Sequence, residues 1–351
     1  MTTTSSGHHD TLAGAPTRVW TLVGIAVIGV ALAVMPLAFG MFDKTPKGAV
    51  MIADFKPYMT TARLSGYQFE LREINAGVHE TDTSVAAYLG GGTSDRFAFQ
   101  SEYPTFTSFY QQWPAIDSKM TGLMNQVQAN LGNYLAVAAL PSFKLFPWFF
   151  VLPGVLLAVF AIATLVRPAR WRRTRWVLVI LGVGLVAAPG IFQMFQRAPD
   201  GGRMMTAFES IETTQNVQQI QGYFGSMAVG QGAIRLEIVP ALERSGLDAA
   251  QISARFPAVA SLDANWVHIL NDMTPMIGAM SDNVTNYQAV ASLPPFPLFP
   301  WFFVAPGLLV LVLALIGEGA RARRVVRAPA EPFDQKSTAL TVPLAVREGV
   351  R

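Results

Sequence analysis

Residue types that usually carry catalysis or metal binding are scarce in this sequence and poorly spaced for either task. Cysteine is absent, which excludes thiolate ligands, disulfides and cysteine nucleophiles. Glu70 and Glu73 lie one helical turn apart and could act as an acid and a base. Arg63 and Arg72 are close by, which favours a solvent-exposed, salt-bridged helix face instead. The histidines form no paired metal-ligand spacing; they are His8, His9, His79 and His268.

Motifs for phosphate binding and for hydrolysis are also missing. The glycine-rich segment GGGT at 90–93 lacks the lysine of a phosphate-binding loop, and no G-x-S-x-G motif occurs. The stretches long enough to cross a membrane contain no ionisable residue, whereas ion-coupled carriers place such residues inside the membrane. The sequence therefore predicts a protein that is not an enzyme, uses no cofactor or metal, and is not a secondary transporter acting alone.

Membrane-spanning helices are the elements that the composition predicts most directly. The chain is 51% apolar and 14% charged, whereas soluble domains carry about a quarter charged residues. A span needs roughly 20 predominantly apolar residues. Four stretches meet this requirement: 20–40, 146–166, 176–193 and 299–317. The predicted fold class is an all-α membrane protein with four transmembrane helices.

Arginines between and after the predicted spans indicate the orientation. The short connection 167–175, RPARWRRTR, contains five arginines and no acid, and four more arginines lie within 318–327. Because short basic loops stay cytoplasmic, both termini are predicted to be cytoplasmic and the protein to lie in the plasma membrane. The alternative interpretation of the basic loop is a nucleic-acid patch. Topology and anionic lipid headgroups explain it without a nucleic-acid partner.

The two halves of the sequence match at a constant offset of 153 residues, without a gap from 36 to 154. Between 133–154 and 286–307, 17 of 22 positions are identical. This pattern predicts a tandem duplication with two parallel copies. The predicted organisation is a disordered tail (1–17), a first copy (18–166, with an extracytoplasmic segment 41–145), the basic loop (167–175), a second copy (176–317, with an extracytoplasmic segment 194–298) and a second tail (318–351).

The two long segments are predicted to be helical. Their apolar residues recur at spacings of three and four, and two long helices per copy would form an antiparallel bundle of four. In the first copy the pattern predicts one helix from about 47 to 88, with Thr45 as its cap and Pro46 in its first turn. LGGGTSD at 89–95 would turn the chain. Gly122 and Pro275 occupy matching positions in the descending helices, where we expect kinks.

An aromatic sequence occurs in both copies where each long segment re-enters the membrane. LFPWFFVLPG at 145–154 returns as LFPWFFVAPG at 298–307. One interpretation is an interfacial anchor that fixes the depth of the spans; the other is a groove for lipid or a partner protein, shared by the copies. The candidate residues are Phe146, Trp148, Phe149, Phe150, Phe299, Trp301, Phe302 and Phe303, together with Asn133, Tyr134, Asn286 and Tyr287.

The leading functional hypothesis is a non-enzymatic accessory or scaffold subunit of a cell-envelope complex that moves lipids or cell-wall components. Its extracytoplasmic helices would dock a membrane-protein partner, and membrane lipids would surround its spans. The alternative is a receptor-like protein that binds a ligand or lipid between its extracytoplasmic helices. A ligand would then occupy a gap in the methionine- and tyrosine-lined core, because methionine packs adaptably around varied guests.

Overall fold

Helices form nearly all of the chain that the computed structural model describes, which is residues 15–90 and 96–325, and no strand occurs in those ranges. Residues 1–14, 91–95 and 326–351 lie outside the described residues, and with them most of the predicted tails and of the predicted turn at 89–95. In chain order the α-helices are α1 (Ala15–Ala38), α2 (Met41–Phe55), α3 (Thr61–Glu80), α4 (Ala86–Leu89), α5 (Arg96–Glu102), α6 (Pro104–Ala129), α7 (Leu131–Ala138), α8 (Trp148–Val166), α9 (Trp171–Ile191), α10 (Met194–Phe208), α11 (Thr214–Ala233), α12 (Val239–Arg244), α13 (Ala249–Arg255), α14 (Pro257–Ala291) and α15 (Phe299–Val325).

Four of these helices are long and apolar enough to cross a membrane, as the composition predicts. They belong to α1, α8, α9 and α15, and their apolar stretches begin two to five residues earlier than the predicted spans. Hydropathy alone misses these first residues, which include Arg18 and a 3₁₀ turn before each of α8 and α15. The apolar stretches are Arg18–Ala38, Phe143–Val166, Trp171–Ile191 and Phe296–Ile316.

Glycines allow the apolar helices to pack in pairs, α1 against α8 and α9 against α15. A Cβ atom on Gly29 would lie 2.6 Å from the carbonyl oxygen of Gly154, and one on Gly154 would lie 2.6 Å from the carbonyl oxygen of Gly29. In the second pair, a Cβ on Gly307 would lie 2.9 Å from the carbonyl oxygen of Gly182. Each pair therefore brings backbone against backbone, the usual way in which apolar helices associate where lipid removes the hydrophobic driving force.

The bundle domain consists of the segment 41–145, which joins α1 to α8, and the segment 194–298, which joins α9 to α15. Helix α3 packs against α6 and α14, and α11 packs against the same two helices. Helix α3 of the first half thus contacts α14 of the second half, and α11 of the second half contacts α6 of the first. Gly77 of α3 lies so close to Leu262 of α14 that a Cβ would not fit, and Gly230 of α11 lies equally close to Phe109 of α6. The core between them is filled by large side chains such as the fully buried Trp266.

The long first helix predicted at 47–88 is interrupted. Helix α2 ends at Phe55, and α3 begins at Thr61 after Thr60, whose hydroxyl accepts a hydrogen bond from the backbone N–H of Arg63. A π-helical turn, Thr81–Val85, then joins α3 to α4. The capping threonine offers the chain a new helix start, which periodicity alone does not show.

The predicted start of that helix is also wrong. Helix α2 begins five residues before Pro46, because Gly40 adopts a left-handed backbone (φ 62°) that turns the chain directly out of α1. Thr45 is not a cap: its buried hydroxyl donates to the carbonyl of Met41 at 2.7 Å. Helices α6 and α14 continue through Gly122 and Pro275, the positions at which kinks are predicted.

Candidate functional site

The inner rings of the repeated aromatic sequence fill the contact between α8 and α15. Phe150 and Phe303 stack with ring centroids 4.3 Å apart, and both are almost fully buried. Phe146 lies edge-on to Phe299 at 5.0 Å. Offset and edge-on ring pairs of this kind stabilise a contact by about 0.5–1.5 kcal/mol beyond their buried area. The inner rings thus join the two halves of the chain.

The outer rings lie against the chain where α1 is followed by α2 and where α9 is followed by α10. Trp148 contacts Phe42 edge-on at 5.5 Å, and Trp301 contacts Phe195 in the same way at 5.7 Å. Both tryptophans remain about half exposed, at 47% and 56%. The remaining rings form the pairs Phe149–Phe192 and Phe302–Phe39. Exposed tryptophans over buried phenylalanines are compatible with either predicted role, an interfacial anchor or a lipid groove.

Replacing an inner ring should destabilise the protein more than replacing an outer one. We expect Phe150→Leu to cost about 1–2 kcal/mol, because it removes the stack on Phe303 and leaves a small void. Trp148→Leu should cost less than about 0.5 kcal/mol, because that ring is half exposed. Thermal unfolding of both variants in the same detergent checks this order, and equal melting temperatures would contradict it.

The asparagines and tyrosines that were grouped with the aromatic sequence lie in the bundle domain instead. Tyr134 donates from its hydroxyl to the carbonyl of Ile52 at 2.6 Å, and Tyr287 donates to that of Met205 at 2.6 Å. Burial raises the pKa of both tyrosines to about 12. Their neighbours make local side-chain bonds, Asn133 to Asn130 and Asn286 to Asn283. The structure therefore divides the predicted candidate residues into two groups.

Tyr134 and Tyr287 line a cavity of about 50 Å³ between the two halves of the chain. A water molecule needs only about 10–15 Å³, so the cavity exceeds the packing gaps of an ordinary core. Seven of its eighteen lining residues are methionines. The lining residues are Met51, Ile52, Phe55, Tyr58, Met59, Leu64, Leu123, Met124, Val127, Tyr134, Met204, Met205, Phe208, Ile211, Glu212, Met276, Met280 and Tyr287.

One acidic residue, Glu212, is among these lining residues, although the wall of the cavity is almost wholly apolar. Glu212 is 3% exposed, and its Oε2 atom has no hydrogen-bond partner. Burial raises the pKa of Glu212 to about 8. The side chain is therefore largely protonated and neutral at pH 7, and can both donate and accept a hydrogen bond.

Sequence reasoning missed Glu212, although a signal was present. At the offset of 153 residues, Glu212 corresponds to Met59, which also lines the cavity. Other lining residues correspond as like pairs, such as Phe55 with Phe208. Glu212 could have been found from the sequence, because it is an acid at a position where the other half has an apolar residue.

Two surface grooves adjoin the cavity. One, of about 480 Å³, shares Leu123 and Ile211 with the cavity lining and continues along polar residues such as Lys119. The other, of about 590 Å³, shares Met205 and Tyr287 and continues along the segment 294–297 that precedes α15. The shared residues place both grooves next to the cavity.

The acidic pair noted in the sequence is not the salt-bridged face that was expected. Arg63 pairs across the bundle with Asp272 at 2.5 Å, and Glu73 accepts hydrogen bonds from Ser261 and Asn265. Glu70 keeps a buried Oε2 atom without a hydrogen-bond partner. Burial, and secondarily the nearby charge of Asp272, raise the pKa of Glu70 to about 7. The interactions of Arg63 and Glu73 thus connect α3 to α14.

Within the described residues, no group of three or more acidic or histidine side chains is placed to hold a metal ion. No protein-family model matches the chain, and no curated protein shows significant sequence similarity to it.

Proposed function

We propose that the protein is a non-enzymatic integral membrane protein that binds an apolar ligand inside its bundle domain. The observation that carries the proposal is the methionine-lined cavity of about 50 Å³ between the two halves. Apolar cavities of this kind take up apolar guests, and methionines adapt their shape to the guest. This is the receptor-like alternative of the sequence reasoning, and it now takes precedence over docking.

We propose further that the two halves are copies from a duplication and that the cavity lies on the axis relating them. The close pair Gly29–Gly154 recurs as Gly182–Gly307 at an offset of 153 residues. The hydrogen bond from Tyr134 to Ile52 recurs at the same offset from Tyr287 to Met205. These recurring contacts support the proposal, together with the identity between the copies.

The membrane would supply the ligand. In the proposed topology both termini and the basic loop 167–175 are cytoplasmic, the bundle domain is extracytoplasmic, and α1, α8, α9 and α15 cross the plasma membrane. The groove that shares Met205 and Tyr287 with the cavity continues along the residues that lead into α15. Membrane lipids or their apolar derivatives would thus meet the groove where the chain enters the bilayer.

A second candidate function is docking of a membrane-protein partner, as an accessory or scaffold subunit of a complex that moves lipids or cell-wall components. It is favoured by large apolar side chains that the bundle domain leaves exposed. Phe69, Phe97 and Leu236 are 60%, 77% and 75% exposed. Exposed apolar side chains, where they form a contiguous patch, mark interaction surfaces.

The test is purification from native membranes in mild detergent, followed by mass spectrometry of bound lipids and proteins. We expect one apolar molecule to be enriched in wild-type protein and lost from Val127→Phe, which places a ring in the cavity. Val229→Phe is the matched control, because Val229 is 54% exposed and lies outside the lining. Should Val127→Phe unfold, Met280→Phe makes a smaller volume change at the same cavity. A stoichiometric protein partner without an enriched apolar molecule would establish docking instead.

A further inference from the structure

The polar groups of the cavity differ in whether their hydrogen bonds are already made. The hydroxyl groups of Tyr134 and Tyr287 are both committed to backbone carbonyls at 2.6 Å. Tyr58 is partly exposed at the edge of the lining. Oε2 of Glu212, in contrast, is buried without a partner, and Glu212 lines the cavity through its aliphatic carbons. A buried polar atom left unpaired costs about 1–3 kcal/mol, so it calls for a function or a ligand.

We propose that the cavity binds an apolar molecule bearing one hydroxyl group, and that Glu212 pairs with this hydroxyl. The inference rests on the proposed ligand-binding function and adds the chemical class of the ligand. Once the carboxyl group turns toward the cavity, a hydroxyl can donate to Oε2 and can accept the carboxyl proton in return. The methionines and phenylalanines around Glu212 then contact the apolar body of the ligand.

Other ligand classes fit this wall less well. A pure hydrocarbon would leave Oε2 unpaired, with the same desolvation cost as the empty cavity. An ammonium group would have to form a buried ion pair in apolar surroundings, where the desolvation penalty can exceed the attraction. A neutral hydroxyl avoids both costs.

The size of the cavity indicates how such a molecule would lie. A volume of about 50 Å³ admits the hydroxyl end and a few carbons, not a whole lipid. The remainder of a longer chain would pass between Met205 and Tyr287 into the groove along 294–297. Methionine at this boundary can change rotamer to open the passage.

The experiment titrates the full-length protein in detergent with three probes of equal chain length: 1-hexanol, hexane and hexylamine. The readout is the NMR signal of ¹³C-labelled methionine methyl groups, because seven methionines line the cavity. Because water solvates a hydroxyl group and not a methyl group, the affinities for 1-hexanol and hexane are compared as a ratio between variants. We expect Glu212→Met, which copies the residue found at Met59, to lower the affinity for 1-hexanol relative to hexane roughly tenfold, which corresponds to about 1.4 kcal/mol, while hexane still binds.

The exposed Glu243 of α12 lines neither the cavity nor the groove along 294–297 and gives the control, because Glu243→Gln should keep the wild-type ratio of affinities. An unchanged ratio in Glu212→Met would overturn the inference and leave the ligand-binding function standing. Tightest binding of hexylamine, dependent on Glu212, would overturn the hydroxyl class in favour of a cation. If no probe shifts the methionine signals, the proposed function itself fails. Glu212→Leu provides the same comparison if Glu212→Met does not fold.

Discussion

Raising the pH from 5 to 9 is expected to destabilise the protein through Glu212, by on the order of 3–4 kcal/mol. Burial raises the pKa of Glu212 in the folded protein to about 8, above its ordinary value of 4.5. Between these two values the folded state holds a proton that the unfolded state has released. The stability due to the neutral form is therefore complete below pH 4.5, falls as the pH rises, and is lost above about pH 8.

Thermal unfolding in detergent across this pH range measures the effect. Glu212→Met should remove most of the slope and raise the melting temperature at pH 9, because no charge remains to be buried. Glu70 contributes a slope of the same sign, since its pKa is raised to about 7, so a smaller slope should persist in the variant. The control Glu243→Gln should keep the wild-type slope. If Glu212→Met kept the wild-type dependence of melting temperature on pH, the carboxyl group of Glu212 would not be neutral in the folded protein at pH 7.

The second large effect concerns the contact between α1 and α8. Gly154→Val is expected to cost at least about 3 kcal/mol, because its new Cβ would overlap backbone atoms. The carbonyl oxygen of Gly29 would lie 2.6 Å from that Cβ and the backbone nitrogen of Ala33 2.7 Å from it. Backbone on both sides cannot move aside as a flexible side chain can, so the helices must separate.

Gly184→Val provides the matched control for this prediction. Gly184 lies on α9, another apolar helix, and a Cβ there would meet no atom within 4 Å. The melting temperature of Gly184→Val should stay near that of the wild type, while Gly154→Val should melt far lower or fail to accumulate. Comparable melting temperatures for the two variants would mean that α1 and α8 do not pack through Gly154.

The elements governed by composition could be predicted, and those governed by backbone detail could not. Four apolar stretches free of charge can form only buried or membrane-spanning helices, and the structure has all four. The break between α2 and α3 was missed because the apolar spacing runs on through it. Thr60 and Thr213 cap the helices that follow the break in each half, and these residues correspond at the offset of 153 residues. Comparing the halves for shared capping residues would have located it.

The candidate site was predictable only in part. Tyr134 and Tyr287 were among the predicted residues, and the methionine-rich character of the core was expected. The cavity itself arises from how α2, α10 and the descending helices meet, which is a matter of packing between distant residues. Glu212 is the exception, because its mismatch with Met59 is visible in the sequence without any structure.

A high-resolution crystal structure of protein purified from its native membranes tests the central claim most directly. We expect electron density for an apolar molecule in the cavity, within hydrogen-bonding distance of Oε2 of Glu212. Xenon applied to the same crystals should displace it or occupy the cavity, as it does in other apolar cavities. A cavity filled by its own methionine side chains, with no bound molecule and no xenon, would contradict the proposal that this protein binds an apolar ligand.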